Sequence, residues 1–283
     1  MSAPANFVLP STVAPTTWLP PRAGLFGERA ARLRHLAATH PMGDWLRAVA
    51  QLCDAQQRLD GTLGPVSSAL SELPAVHAAL VQTLSEGEGR ALAQGLTLSL
   101  DALSERAQRL LAYTHADPDA SGPQDRTDLL LGASLQLLFT AVARGTPVNP
   151  VQSPVPGEQR CPCCGSVAHA GVVLTADGKA GLRYLECSLC ATRWHAVRAR
   201  CTLCDSPREV EYRGLEGVHP SVQAETCDAC HGYVKTLFRD KDPHADPLAD
   251  DLATLVLDVL VGEAGYGRAA PCLLLISGGT TQV

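Results

Sequence analysis

Apolar positions in the first half of the chain repeat with the spacing of α-helices. In "DWLRAVAQLCDAQQRL", one helix face is formed by Trp45, Val49, Leu52 and Leu59, with Cys53 beside it. The segments "EGRALAQGLTLSLDALSERAQRLLAY" and "DRTDLLLGASLQLLFTAVARG" repeat this pattern. We therefore predict a bundle of about five to seven helices.

The last of these segments carries signals for both ends of a helix. Asp125 or Thr127 can cap its start, and Gly145 can end it. Its run 129–143 is the most apolar of the chain, but 15 residues fall short of the roughly 20 that a membrane span needs. We predict a buried helix rather than a membrane span.

The pattern changes after a proline-rich segment. "TPVNPVQSPVPG", residues 146–157, contains four prolines and predicts a stiff linker. Beyond it, β-type runs on both sides of Asp177 and Gly178 predict a hairpin. Further strands are predicted in "RWHAVRA", "REVEYRGL", "SVQAET" and "YVKTLF".

Helix signals return near the C-terminal end. Asp246 and Pro247 suit the N-cap and the first position of a helix over about 247–261. Asp250 and Asp251 could act as an acid/base pair, but compensation of the helix dipole explains them more simply. The predicted apolar face consists of Leu248, Leu252, Leu255, Val256, Val259 and Leu260.

Composition and charge fit a globular protein. Of the 283 residues, 46% are hydrophobic and 18% charged, which allows a sizeable core and more than one domain. A net charge of −6 disfavours attraction of the whole chain to nucleic acid or to anionic lipid. The opening "MSAPANFVLPSTVAPTTWLPP" has no basic region followed by an apolar one, so we expect no secretory signal and a cytoplasmic protein.

Eight of the eleven cysteines form four CxxC pairs. The cytosol keeps thiols reduced, so metal ligation is favoured over disulfides. Within each half of the set, 22 residues separate the two pairs, which predicts duplication of a roughly 30-residue unit. The pairs are Cys161/Cys164, Cys187/Cys190, Cys201/Cys204 and Cys227/Cys230.

The spacing predicts two tetrahedral four-thiolate sites, because two CxxC turns can complete the shell of one ion. Zinc in such a shell would only hold the fold, whereas iron can change its oxidation state. His195 and His231 lie near pairs and are alternative ligands, although four thiolates already complete each shell. Pairing consecutive turns groups Cys161, Cys164, Cys187 and Cys190 in one site and Cys201, Cys204, Cys227 and Cys230 in the other. The alternative is an interleaved pairing, with the pairs between Cys187 and Cys204 in one site.

Two other functions stay open on the residues alone. Between 179 and 213, seven basic residues outnumber four acidic ones around Tyr184 and Trp194, a pattern typical of a nucleic-acid-binding ribbon. The CxxC pairs without metal would instead suit a thiol-redox protein, which needs exposed thiolates of low pKa. The basic residues are Lys179, Arg183, Arg193, Arg198, Arg200, Arg208 and Arg213.

The segment "CPCCG…RYLECSLCATRWHAVRARCTLC…AETCDACHGYVKTLFRDKDPHADPLADDLATLVLDVL" resembles the formate dehydrogenase accessory protein family, FdhE. The resemblance implies a cytoplasmic bacterial protein that is needed to form active respiratory formate dehydrogenase. It further implies contact with the catalytic subunit of that enzyme, no enzymatic activity of its own, and two rubredoxin-like modules. The eight paired cysteines would be the metal ligands, with iron preferred and zinc as the alternative.

The expected fold is α+β and multidomain. An N-terminal all-α helical domain (1–145) and a Pro-rich linker (146–159) would precede two small rubredoxin-like or zinc-ribbon-like metal modules with four cysteines each (160–199 and 200–240). A C-terminal helix and tail (241–283) would follow, with no membrane insertion and no nucleic-acid partner.

Three details depart from the ligand pattern or extend it. Cys163 fills a turn position where the family usually has no thiol, and Cys272 stands where we expect a large apolar residue. Neither removes a ligand. We also predict contact with the protein partner at Arg193, Trp194, His195, Asp240, Lys241 and Asp242.

Overall fold

The computed structural model describes residues 18–63, 69–96, 98–146, 160–175, 181–198, 200–207 and 209–276. Nearly all of the predicted linker and the Asp177-Gly178 turn lie outside these ranges. The helical first half is confirmed. Its helices are α1 (Leu25–Ala37), α2 (Gly43–Asp60), α3 (Ala69–Ser85), α4 (Arg90–Ala93), α5 (Leu100–Thr114) and α6 (Arg126–Gly145).

Helix α6 is the buried helix that the sequence predicts. The Asp125 side chain caps its start by accepting a hydrogen bond from the Asp128 N–H, and the helix ends at Gly145. Every residue from Asp128 through Leu138 is buried. A helix that is buried on all sides needs an apolar run, which explains residues 129–143. No helix in the described ranges is long and apolar enough to cross a membrane.

The second half builds one sheet. Its described strands are β1 (Trp18–Leu19), β2 (Ala168–Val173), β3 (Arg183–Cys187), β4 (Arg193–Ala196), β5 (Val210–Gly214), β6 (Val222–Cys227), β7 (Gly232–Phe238) and β8 (Gly267–Arg268). They are ordered β1-β4-β3-β2-β7-β6-β5, with β8 paired to β7. The short strand β1 thus brings the segment before α1 into the sheet beside β4.

The predicted duplication is visible in this sheet. A shift of 40 residues carries Cys161 onto Cys201 and Cys187 onto Cys227, and it carries the β2-β3-β4 triplet onto β5-β6-β7. Strands within each triplet are antiparallel. The triplets meet through the parallel pair of β2 and β7, so that both repeats share one sheet. At this seam Gly171 faces Thr236, where an added Cβ would lie 2.5 Å from the threonine Oγ1.

The single C-terminal helix predicted over about 247–261 is wrong: α7 (Pro247–Leu252) and α8 (Leu255–Glu263) replace it. The predicted cap at Asp246 is confirmed, because its side chain accepts from the N–H groups of Leu248 and Ala249. The break has a physical cause in Lys235. Its buried ammonium donates to the carbonyl oxygens of Asp251 (3.0 Å) and Thr254 (3.1 Å), which lie at the end of α7.

The break also divides the predicted apolar face. Leu248 and Leu252 are buried in the core of the helical half. Val256, Val259 and Leu260 instead remain between 48% and 58% exposed. The residues of α8 that pack against the sheet are Leu257 and Val261. The prediction that all six residues form the apolar face of one helix was therefore wrong.

Asp250 and Asp251 do more than compensate a helix dipole. Both side chains are buried. Asp250 accepts two hydrogen bonds from Arg32 of α1, at 2.6 and 2.9 Å. Asp251 pairs with Lys235 of β7 (3.0 Å) and with Arg268 of β8 (2.6 Å). These ion pairs attach α7 to the helical half and to the sheet.

Candidate metal centres

The eight paired cysteines come together in two groups of four. Within each group the four Sγ atoms all lie within 4.8 Å of one another. The grouping is the consecutive one, and the interleaved alternative does not match it. The first site contains Cys161, Cys164, Cys187 and Cys190, and the second contains Cys201, Cys204, Cys227 and Cys230.

Both sites are built by the same backbone turns. In the first site the Cys161 N–H donates to the Ser166 carbonyl oxygen (2.8 Å), and the Gly165 N–H donates to the Cys161 carbonyl oxygen (2.9 Å). The Cys163 N–H points to the Cys161 sulfur at 3.4 Å. The second site repeats these contacts 40 residues later, at 2.9, 3.1 and 3.3 Å. N–H groups directed at sulfur favour the thiolate that a metal requires.

One residue directly after each CxxC pair has a left-handed backbone. This conformation reverses the chain and lets the two sulfurs of a pair point to one centre. Only one of the four positions has a glycine, the residue best suited to it. The residues and their φ angles are Gly165 (76°), Ala191 (55°), Asp205 (59°) and His231 (52°).

The first site is enclosed between the helices and the sheet. Cys161, Cys187 and Cys190 are buried in one apolar cluster with leucines of α6. Gln136 of α6 donates to the Ser188 carbonyl (3.2 Å), inside the second CxxC turn. From α5, the Thr114 carbonyl accepts from the Val167 N–H at 2.9 Å. The helical half therefore shields Cys161, Cys187 and Cys190 from solvent, whereas Cys164 is half-buried.

Enclosure sets the protonation of the first site. Its sulfurs lie 3.4 to 3.6 Å apart. Burial raises the pKa of Cys187 and of Cys190 well above the usual thiol value. Hydrogen bonds from Cys161, Cys187 and Cys190 lower the pKa of Cys164. Metal binding at Cys187 and Cys190 must therefore displace protons from buried thiols.

The second site has the same ligands in a more open setting. Cys204 and Cys230 are exposed, whereas Cys201 and Cys227 are buried. Sulfur distances are 3.8 Å for Cys201 to Cys230 and for Cys204 to Cys227. Burial raises the pKa of Cys201. Burial opposes ionisation of Cys227 as well, but the N–H groups of Cys230 and Ala229 lower its pKa.

The donor sets fit a thiophilic ion. Four sulfurs that converge from two turns form the tetrahedral ligand shell that binds Zn²⁺ or iron in four-cysteine sites. Neither His195 nor His231 belongs to either group. The His195 ring instead meets the Tyr184 ring edge-on, with centroids 5.8 Å apart. The His231 ring lies 6.1 Å from the ring of Tyr266.

The three remaining cysteines lie outside both groups. The Cys163 thiol donates to the Thr146 hydroxyl at 3.8 Å, and the equivalent position of the second repeat holds Leu203. Cys53 and Cys272 are buried in the core of the helical half. Burial raises the pKa of Cys53 to about 12 and that of Cys272 to about 11. These two thiols act as apolar side chains.

The residues predicted to contact a partner differ in exposure. Arg193 and Trp194 are buried, and Arg193 Nε donates to a Glu186 carboxylate oxygen at 2.7 Å. Asp240 and Lys241 are exposed, whereas His195 and Asp242 are half-buried. Contact with a partner at these positions stays a prediction, and the surface around Asp240 and Lys241 is the part of it that a partner can reach.

The described basic residues between 179 and 213 are largely engaged within the chain. Four of its arginines have acidic partners within the chain, and Arg198 lies over the Phe238 ring at 5.9 Å. Lys179 and Arg208 lie outside the described residues. The pairs are Arg183 with Glu225 (2.7 Å), Arg193 with Glu186 (2.6 Å), Arg200 with Asp205 (2.5 Å) and Arg213 with Glu211 (3.0 Å).

Sequence reasoning missed the buried charges behind the first site. Glu186, next to Cys187, lies within ion-pair distance of Arg29 (3.6 Å), His169 (3.4 Å) and Arg193 (2.6 Å). Burial alone would raise the pKa of Glu186, but Arg193 and His169 hold it well below its usual range. The sequence signal was a charged residue between two apolar positions of β3, Leu185 and Cys187. The network joins α1 to the strand that leads into the CxxC turn.

Comparisons with known proteins match the whole architecture. Family models described as "FdhE, N-terminal", "FdhE, central domain" and "FdhE, C-terminal domain" match residues 14–83, 160–198 and 199–275. "Protein FdhE homolog" of Pseudomonas putida is 36% identical, with 95% of this chain and 93% of the relative covered. The Pseudomonas aeruginosa homolog is also 36% identical, with 92% of each chain covered. The crystal structure of the FdhE protein from Pseudomonas aeruginosa superposes with a TM-score of 0.76 at 32% identity, covering 93% of this chain and all of that one.

Proposed function

Because the chain belongs to the FdhE family, we propose that it is an accessory protein in the maturation of respiratory formate dehydrogenase and has no enzymatic activity of its own. The observation that carries the proposal is the pair of complete four-cysteine groups, arranged as a repeat within one sheet. Family membership supplies the client, and the groups supply the chemistry that the protein brings to it.

Each group holds a metal ion through its four thiolates. Iron is the preferred ion and zinc the alternative, because both accept tetrahedral sulfur. Iron in this shell supplies one-electron redox chemistry, whereas zinc supplies stability alone. The chain's own part is to direct N–H groups at the sulfurs and, at the first site, to shield three of the four sulfurs from water.

The completed shells support a role that is not enzymatic. A catalytic zinc site keeps one position open for water or substrate, and a structural site has four protein ligands. All four ligands here come from cysteines. The metal modules therefore stabilise the sheet and present its surface to the protein partner. The helical half holds the first module in place.

The protein acts in the cytoplasm and contacts the catalytic subunit of the dehydrogenase. Asp240 and Lys241 are exposed just after β7, at the edge of the second repeat. Lys241 lies over the ring of Phe238 at 5.2 Å, which positions its charge at the surface. These two residues are the proposed contact points of the six that the sequence suggested.

The proposal is tested in a bacterium that lacks its own copy of this protein. Formate dehydrogenase activity should be lost in the deletion strain and restored by the wild-type chain. Cys201→Ser combined with Cys204→Ser should not restore it, whereas the matched control Cys163→Ser should. Wild-type protein should also capture the catalytic subunit from the lysate. Normal activity in the deletion strain would refute the proposal.

A further inference from the structure

The two sites have the same four cysteine ligands, but the ligands of the second site are more accessible to solvent. Cys187 and Cys190 of the first site are 2% and 0% exposed. Their counterparts in the second site are Cys227, which is equally buried, and Cys230, which is exposed. Cys164 of the first site is half-buried, whereas its counterpart Cys204 is exposed. Because the repeats superimpose by a shift of 40 residues, this difference comes from what covers each site.

The cover of the first site is the helical half. Helix α6 contacts two residues of the second turn: Gln136 donates to the Ser188 carbonyl (3.2 Å), and Thr140 donates to the Cys190 carbonyl (3.5 Å). Thr114 also meets the Ser166 hydroxyl at 3.1 Å. A chelator can reach Cys187 and Cys190 only after the helices separate from the sheet, and the half-buried Cys164 gives it an incomplete hold on the ion.

The second site has a much smaller cover. The segment after α8 touches its second turn, where the Gly267 N–H donates to the His231 carbonyl (2.7 Å). The Tyr266 hydroxyl donates to Asp228 (2.5 Å). Neither contact shields Cys204 or Cys230, which stay exposed.

Acidic residues lie around the open site at positions where the first repeat has none. Asp205, Glu209 and Asp228 occupy the positions that Gly165, His169 and Ser188 hold in the first repeat. Glu209 and Asp228 are exposed and are joined through the Asp228 N–H, which donates to the Glu209 carbonyl (3.0 Å). Asp205 is paired with Arg200 (2.5 Å), so Glu209 and Asp228 supply the negative charge beside the exposed site. Such charge raises the local concentration of cations.

We propose that the second site is the exchangeable metal site of this protein, loading and releasing a thiophilic divalent ion from solution, while the first site keeps its ion as part of the fold. This inference rests on the proposed metal binding and assigns different roles to the two sites. At the second site an incoming chelating ligand would displace Cys204 and Cys230 first, because these two residues are exposed. The ion would leave bound to that ligand, and each released thiolate would stay charged or take a proton from the buffer. Exchange at the first site requires opening of the packed core, which is a rare event.

The experiment uses the full chain loaded with zinc under reducing conditions and a chromogenic chelator in excess. One equivalent should be released at least about 100-fold faster than the other, since only the slow one depends on core opening. Cys204→Ser should lack the fast phase, and the matched control Cys163→Ser should keep both phases.

Peptide mapping makes the result independent of any variant. Wild-type protein is treated with iodoacetamide directly after the fast phase and then digested. Label should appear on the cysteines of the second site and not on those of the first. Release of both ions at one rate, or earlier labelling of Cys161 or Cys187, would overturn the inference alone. A chain that retains no zinc would overturn the proposed metal binding as well.

A separate experiment tests the acidic residues around the second site. Protein emptied only at the second site is mixed with zinc at low ionic strength. Glu209→Gln should slow zinc uptake about two- to fivefold, and added salt should remove the difference. Glu216→Gln, an exposed substitution in the β5–β6 loop, should leave the rate unchanged. Equal rates for both variants would show that these carboxylates do not attract the ion.

Discussion

Arg32 of α1 and Asp250 of α7 form an ion pair across 218 positions of the chain, with Nη2 of the arginine 2.6 Å from Oδ1 of the aspartate. Arg32 Nε also donates to Oδ2 at 2.9 Å, so that both carboxylate oxygens are bound. The Asp250 side chain is fully buried and that of Arg32 is 9% exposed. The pair therefore joins the first helix of the helical half to the C-terminal segment in a place that water does not screen.

Arg32→Gln should destabilise the protein by about 3 kcal/mol, because it leaves a buried carboxylate without its partner. Urea unfolding followed by circular dichroism measures the loss. The control is Arg34→Gln, which breaks an ion pair with Asp54 that is partly exposed and should cost only about 0–1 kcal/mol. Equal losses for the two variants would contradict the buried setting of Arg32.

Asp251 should make stability depend on pH. Burial opposes its ionisation, but Arg268 and Lys235 hold its pKa well below the usual value. A carboxylate whose pKa is depressed in the native state stabilises the fold fully above its unfolded pKa of about 3.9. That stabilisation is lost as the pH falls through the native pKa. Asp251→Asn should therefore lower the free energy of unfolding by about 3 kcal/mol at neutral pH and by progressively less below pH ~4.

Unfolding curves at pH 6 and pH 3 measure this effect. Asp44→Asn is the control, since the Asp44 side chain is 99% exposed and pairs only with Arg47 at the surface. It should show no such pH dependence. A loss for Asp251→Asn that stays constant between the two pH values would show that the carboxylate does not act through its charge.

Metal content should follow the grouping of the thiols. Wild-type protein purified without oxygen should carry about two ions per chain, and Cys163→Ser should carry the same number. Cys204→Ser should lose one. Elemental analysis counts the ions, and the absorption spectrum identifies them, because ferric four-thiolate iron is coloured and zinc is not. Loss of an ion on Cys163→Ser would show that Cys163 takes part in metal binding at the first site.

Removal of the exposed ion should loosen one part of the sheet. Ligation contributes folding free energy to small β-units, and the second site lies at the turns that begin β5 and end β6. After brief chelation, hydrogen exchange should rise in β5 and β6 and stay unchanged in α1 and α2, whose core has no share in that site. Equal protection of β5 with and without metal would contradict a stabilising role.

Cys53 and Cys272 should resist alkylation in the folded protein. Both are buried in the core of the helical half, and burial raises their pKa to about 12 and about 11. At pH 8 the reactive thiolate is therefore scarce as well as inaccessible. Mass spectrometry after timed iodoacetamide treatment should find label on them only under denaturing conditions. Labelling of either at the rate of metal-free Cys204 would contradict their burial.

Local chemistry made the four CxxC pairs and helix α6 predictable. A CxxC turn brings two sulfurs together by its own backbone geometry, and an apolar run capped by Asp125 specifies a buried helix without reference to distant residues. The C-terminal helix was mispredicted because its break depends on Lys235, a residue of β7 whose ammonium binds the carbonyls at the end of α7. That contact is absent from any local pattern.

Short-range spacing was enough to predict the four CxxC turns, the repeat of the β-units and the helical character of the first half. Long-range packing established which CxxC turns share a site, that β2 and β7 join the repeats into one sheet, that Arg32 meets Asp250, and that α6 covers the first site while the second is more open. Burial depends on what packs from elsewhere in the chain. Two sites with the same ligands and the same turns therefore differ in access, and with it in the chemistry open to them.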